Sequence, residues 1–162
     1  MFIKKKHNLD LYNNLLYLSR KIFFYRDLSL KDTFETRIYL MFFHYSVILI
    51  VFKKKEYKKD QDNYNNLFFN IENNLRELGF GDVSVNKKMK DLNKVFYDIL
   101  LKINKEKTNF KINIKLVAKY FEILRQNDAN MEKFQLYFEK FYKFCFDLSY
   151  ENMIKDIKNY KL

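Results

Sequence analysis

Proline and tryptophan are absent from this chain of 162 residues, glycine and histidine occur twice each, and cysteine occurs once. Each scarcity excludes something. With only Cys145, no disulfide framework is possible and a reducing compartment is the natural setting. Its neighbours Phe144 and Phe146 mark it as a core thiol. Two histidines and one cysteine cannot make a Cys/His metal cluster, and no phosphate-cradling loop or nucleophile motif occurs, so the chain reads as a non-enzyme with no catalytic residue, metal or cofactor. No small-molecule substrate is expected. Residues 1–7 are basic, but no apolar run and no small-residue cleavage site follow them, so export is not expected.

What is present is core material and charge. Hydrophobic residues make up 48% of the sequence and aromatics 19%, enough for one domain of this length to bury roughly 70% of the surface its unfolded chain exposes. The net charge of +11 fits an anionic partner such as nucleic acid, lipid or an acidic protein. The abundance of Lys, Asn, Ile, Phe and Tyr fits equally well the drift of an AT-rich genome. Against such a drift, the two glycines and the few arginines carry more weight than lysines do.

Apolar periodicity predicts helices throughout. A first helix over 8–26 is capped by Asn8 and carries Leu9, Tyr12, Leu15, Leu16, Ile22 and Phe23. Asp32-Thr33-Phe34-Glu35 resembles a capping box, with Asp32 as cap, and opens a second helix to about Phe52. Its stretch Ile38 to Phe52 is apolar all round and is the one candidate membrane span. At about 1.5 Å per residue it covers only some 22 Å against a hydrocarbon core of roughly 30 Å, and it holds His44, so a buried central helix is the better reading. The β-branched residues Val47 to Val51 leave a strand as the alternative. His44, with no second imidazole one turn away, is expected to be a hydrogen-bonded core residue.

A basic run, Lys53 to Asp60, should end that helix and form a solvated loop. A third helix from Gln61 to Leu78 follows, with Tyr64, Leu67, Phe68, Ile71, Leu75 and Leu78 in one stripe. Gly79 is expected to stop it in the left-handed conformation, and Gly81 to take a second unusual φ before Ser84 caps a fourth helix to about Asn104. Val85, Met89, Leu92, Val95, Phe96, Ile99, Leu100 and Ile103 line that helix. Asn109 should cap a fifth carrying Ile112, Leu116, Tyr120, Ile123 and Leu124. Asn130 should cap a sixth spanning Phe134 to Leu148, and Ser149 a short last one with Met153, Ile154 and Ile157. The expected fold is therefore all-α, a single-domain bundle of about six to seven helices.

The joint between the third and fourth helices holds both glycines. Gly79-Phe80-Gly81 follows no strand and has no third glycine, so it is not a dinucleotide fingerprint. Lys87, Lys88 and Lys90 lie near the start of a helix, where anions are preferred, so an acidic group is a candidate to dock there; solvation of ordinary surface lysines explains them as well.

The run from Leu75 to Lys90, LRELGFGDVSVNKKMK, resembles the signature of the ubiquinol-cytochrome c chaperone family, whose pattern is approximately L-R-E-M-G-V-G-D-L-x-V-x-K-[KR]-x-K. Asp32-Thr33-Phe34 with Arg37 resembles that family's D-T-F-x-x-R opening, Phe43-His44 its leucine-histidine pair, and Phe96-Tyr97 its aromatic pair after the signature. Gln61, Phe68 and Glu72 also fall in place. The likeness runs from about Asp32 to Lys105 and more weakly through Asn127. Asn65 and Asn70 replace acidic residues usual in the family, and Asp98-Ile99 replaces a Gly-Arg.

The resemblance implies a non-catalytic assembly factor for the cytochrome bc1 complex, one that binds newly made cytochrome b or another bc1 subunit. It implies a chaperone-like core over 32–127, preceded by an N-terminal helix in 1–31 and followed by C-terminal helices of the same domain in 128–162. Arg37, Arg76, Glu77, Gly79, Gly81, Asp82, Lys87 and Lys88 would form a partner-binding surface around the joint; alternatively Arg37, Glu77 and Asp82 brace the loop internally. Basic flanks such as Lys53 to Lys59 would hold the chain near the ribosome or an anionic membrane surface. The expected location is the cytoplasm, peripheral on the inner membrane, or the matrix side of that membrane in a mitochondrion. The other function class is a basic helical RNA- or ribosome-binding protein.

Overall fold

The computed structural model describes residues 10–58 and 61–162. Seven α-helices span these residues: α1 (Asp10–Ser19), α2 (Phe34–Lys54), α3 (Gln61–Glu77), α4 (Asp82–Lys102), α5 (Ile114–Tyr120), α6 (Asp128–Asp147) and α7 (Tyr150–Asp156). The all-α expectation is met. No strand occurs among the described residues, where Asn104 and Ile112 form an isolated β-bridge. The expected cap Asn8, the stripe residue Leu9, the basic start with His7, and Lys59 and Asp60 lie outside the described residues.

α2 is the axis of the bundle. Its apolar side chains point in all directions because it packs against α1, α4 and α6, and Leu40, Met41, Phe42, Phe43, Val47 and Ile48 are fully enclosed. By length and composition it is the one described helix able to cross a membrane, yet here its long apolar run forms the interior of the bundle. The strand alternative for Val47 to Val51 is not adopted. Phe43 and His44 on α2 meet Phe138 on α6, while Phe42 and Tyr45 meet Phe96 on α4. Each such ring contributes roughly 1.5–3 kcal/mol by leaving water, with a further increment from edge-to-face and offset contacts.

Several helix boundaries differ from the sequence reading, each for a local reason. The first helix does not run to Arg26: α1 stops at Ser19, and a π-helical turn follows over Phe23–Asp27. The Tyr25 hydroxyl donates to the Ser19 carbonyl at 2.6 Å, and the changed winding places Phe24 in the core while Ile22 is left 64% exposed. The buried stripe of α1 is Leu11, Leu15 and Leu18. At α2 the cap is Thr33, whose hydroxyl accepts from the Thr36 amide, and Asp32 instead pairs with Arg37. Asn113, not Asn109, caps α5, because Asn104 Oδ1 accepts from the Glu106 and Lys111 amides and closes residues 104–111 into a loop. Asn127, three residues before the expected Asn130, caps α6 by accepting from the Asn130 amide. Ser149 stands at the start of α7 as expected, although its side chain accepts from the Asn152 amide group and not from backbone.

Among the described residues two turns use left-handed residues other than glycine, Ser29 at φ 57° and Glu56 at φ 55°. Such positions cost roughly 1–2 kcal/mol for a residue with a Cβ. Glu56 reverses the chain just after α2 within the basic run, where the Tyr57 amide donates to the Phe52 carbonyl at 2.8 Å.

Candidate docking site at the α3–α4 joint

α3 ends in a Schellman arrangement. The Phe80 amide donates to the Leu75 carbonyl at 3.3 Å and the Gly79 amide to the Arg76 carbonyl at 3.0 Å, which closes only if Gly79 turns left-handed, and its φ is +95°. Gly81 is different. Its φ of −76° and ψ of 167° are ordinary extended values, so the expected second unusual φ is not found. Gly81 itself is the cap of α4, its carbonyl accepting from the Val85 amide at 2.9 Å, and Ser84 lies one turn inside the helix. A Cβ at Gly81 would meet nothing within 4 Å.

Starting the helix at Asp82 changes the electrostatics of the joint. The first turn holds a carboxylate, which suits the helix dipole, and Lys87 and Lys88 fall in the second turn, where the dipole has largely faded. The misplacement expected for these lysines is thus weaker than their distance from Ser84 suggested. Lys88 sets its ammonium 4.6 Å from the centre of the Phe80 ring. Lys87 is exposed and has no ion pair among the described residues.

Arg76 spans the joint. Its guanidinium bonds Asp82 at the start of α4 and Glu72 one turn back on α3, the latter at 3.2 Å. Asp82 first, then Glu72, hold its pKa above the ordinary arginine value. Asp82 stands in water and Arg76 and Glu72 are part-exposed, so these bonds tie the end of α3 to the start of α4 and add little stability. Arg76, Asp82 and Gly79 therefore brace the joint from within. Glu77 and Arg37 are not in this network. Both line a cavity of about 370 Å³ between α1, α2 and α3, together with Arg20, Tyr12 and Asn74, and Arg37 is tied to Asp32 at 2.6 Å. The eight sequence-predicted residues thus divide into a brace of Gly79, Arg76 and Asp82, the helix cap Gly81, a cavity wall of Arg37 and Glu77, and the lysines Lys87 and Lys88.

The remaining chemistry-bearing residues are structural in their settings. His44 is fully buried: Nδ1–H donates to the Leu40 carbonyl at 2.6 Å and Nε2 accepts from the Tyr137 hydroxyl at 2.8 Å. Burial lowers its pKa to about 3, so the ring is neutral. The Cys145 thiol is enclosed and burial pushes its pKa up, which leaves it protonated. Among the described residues no group of three or more His, Cys, Asp or Glu is placed to hold a metal ion.

Sequence reasoning missed one cluster. Asp98 accepts from Lys102 at 2.6 Å, Lys119 at 2.8 Å and the Tyr120 hydroxyl, which joins α4 to α5 and depresses its pKa, with Lys102 the largest cause. The i, i+4 spacing of Asp98 and Lys102 was a visible signal; the α5 partners were not. A second concavity, about 500 Å³ and mainly apolar, lies between the end of α2, the start of α3 and the end of α4, where Leu49, Tyr64, Tyr97 and Leu101 line it.

The sequence profile of the ubiquinol-cytochrome C chaperone family matches residues 26–109, from the π-helical turn through α2, α3 and α4 to the loop after them. The chain belongs to that family, which carries a chaperone role in assembly and a protein partner. No curated protein and no solved structure matches it.

Proposed function

We propose that this chain is a non-catalytic assembly chaperone of the cytochrome bc1 complex that receives newly made cytochrome b, with the α3–α4 joint as its docking surface. The observation that carries the reading is the division of labour within the family signature. Gly79, Arg76 and Asp82 fix the joint internally, while Lys87 stands exposed with no ion pair among the described residues. A brace of this kind serves to hold the neighbouring surface in one geometry, which reduces the ordering cost of binding. In this reading Lys87, Lys88, Arg37 and Glu77 meet the partner, Gly81 keeps the approach to α4 open, and the chain works in the cytoplasm or the mitochondrial matrix against the inner membrane.

The RNA-binding reading has the net charge of +11 in its favour. It lacks a stacking platform, since the exposed rings Tyr17, Phe69, Phe80, Tyr97, Phe146 and Tyr150 are distributed over separate elements. Steeply salt-dependent association with RNA would favour it. The test of the chaperone reading is the double charge reversal Lys87→Glu/Lys88→Glu. Both side chains sit outside the core, so the expected outcome is an unchanged melting temperature with bc1 levels in membranes reduced severalfold. A folded variant with normal bc1 levels overturns the docking role.

A further inference from the structure

The face of α4 turned away from the bundle is a continuous stripe. Val83, Lys87, Lys90, Lys94, Tyr97 and Leu101 recur at alternating steps of four and three residues and are all exposed, Val83 at 85% and Leu101 at 77%. The opposite side of the same helix, with Val85, Leu92, Phe96 and Ile99, is the side buried against α2 and α3. A four–three repeat sustained over 19 residues is the spacing at which a second helix packs along a first. Here no second helix is present: the stripe's three lysines have no ion pair among the described residues, and its apolar end opens onto the concavity lined by Tyr64, Tyr97 and Leu101.

We infer that this stripe is the seat of one α-helix of a partner protein, about 18 residues long, acidic along the end that meets Lys87, Lys90 and Lys94 and apolar along the end that meets Tyr97 and Leu101. The charge assignment follows from the stripe itself, which bears lysines in its middle and no carboxylate. Asp91 and Asp98 lie beside it, and Asp98 is occupied by Lys102, Lys119 and Tyr120. The apolar assignment follows from Leu101, which projects into solvent next to an apolar hollow of about 500 Å³ that a single large side chain of the partner can enter. A flat lipid surface would contact the same helix face but would leave the hollow unfilled. The stripe begins at the α3–α4 joint, so the inference rests on the proposed docking role in naming a protein as the occupant, and it adds the chemistry and length of the segment that binds.

The test uses the full chain and two synthetic 18-residue helical peptides with a four–three seam, Glu on one half and Leu on the other, one with the acidic half first and one with it last. One orientation is expected to bind saturably, with affinity falling as salt rises. Leu101→Glu should weaken that binding at least tenfold, and Lys90→Glu/Lys94→Glu should weaken it similarly while gaining affinity for a peptide carrying Lys in place of Glu. Far-UV circular dichroism and melting temperature of both variants should match the parent. Absence of binding by either orientation, binding indifferent to both variants, or Leu101-dependent binding to anionic vesicles without peptide binding overturns the inference. If the peptides fail but the Lys87→Glu/Lys88→Glu variant still lowers bc1 levels, the chaperone reading stands and the helix seat does not; peptide binding with normal bc1 levels gives the reverse.

Discussion

His44 and Arg76 are each held by two partners, but one is sealed between α2 and α6 while the other stands half in water above the α3–α4 joint. Around His44 every polar atom is matched, to Leu40 and to Tyr137, and Phe24, Phe138 and Phe141 exclude solvent. In that setting a lost hydrogen bond is costly and the ring stays neutral. Around Arg76 water competes for every bond, so Glu72 and Asp82 determine geometry and little else. The core spends its polar contacts on stability and keeps its chemistry hidden. The joint keeps its charge on the surface, where a partner can reach it.

The sharpest way to break this contrast is to cut into the core. Phe138 touches Phe43, His44 and Phe134, and Phe138→Ala should cost about 3–5 kcal/mol by equilibrium denaturation. A loss near that of a surface substitution would mean the α2–α6 contact is not the centre of the fold.

Next in size is the His44 pair. Tyr137→Phe leaves Nε2 buried without its donor and should cost about 1–3 kcal/mol, whereas His44→Leu/Tyr137→Phe, which removes both partners, should cost less than either change alone. The pH dependence has a definite sign. The folded-state pKa of about 3 lies below the ordinary histidine value of 6.5, so the unfolded chain takes up a proton first as pH falls. The stability is fully present above pH 6.5 and declines below it, toward pH 3, at on the order of 1.4 kcal/mol per pH unit. Denaturation midpoints at pH 7 and pH 5 read this, and the double variant should flatten it.

The smallest effects separate the two glycines. Gly79→Ala forces a Cβ into the left-handed region at φ +95° and should cost roughly 1–2 kcal/mol, while Gly81→Ala, at an ordinary φ with open space around it, should stay within about 0.5 kcal/mol. Equal costs at both positions would mean that the joint depends on Gly81 for a backbone reason the geometry does not contain.

The same contrast governs how much was legible in the sequence. Helix existence was readable because the stripes of α3 and α4 are regular, and Gly79 was readable because a helix stop that needs a positive φ strongly favours one residue type. The break between Ser19 and Phe23 was not, since it depends on Tyr25 reaching back to a carbonyl and on Phe24 finding a place among rings from α2 and α6. Caps were misplaced by one to four residues wherever Asn, Asp, Ser or Thr stood at neighbouring positions, because tertiary contacts decide among equal candidates. Gly81 does not share the conformation of Gly79, because the capping role it has requires no positive φ. Around the joint the arrangement of the candidate residues was not legible: that Arg76 and Asp82 face each other, while Arg37 and Glu77 face a separate cavity, depends on how α1, α2 and α3 meet.

The most direct test of the docking claim is a photo-reactive amino acid placed at Lys87, with a second chain carrying it at Lys133 on α6 as the comparison, each activated in cells during synthesis of cytochrome b. The account predicts a covalent adduct with newly made cytochrome b from position 87 and little or none from position 133. An adduct from position 133 with none from position 87 would contradict it.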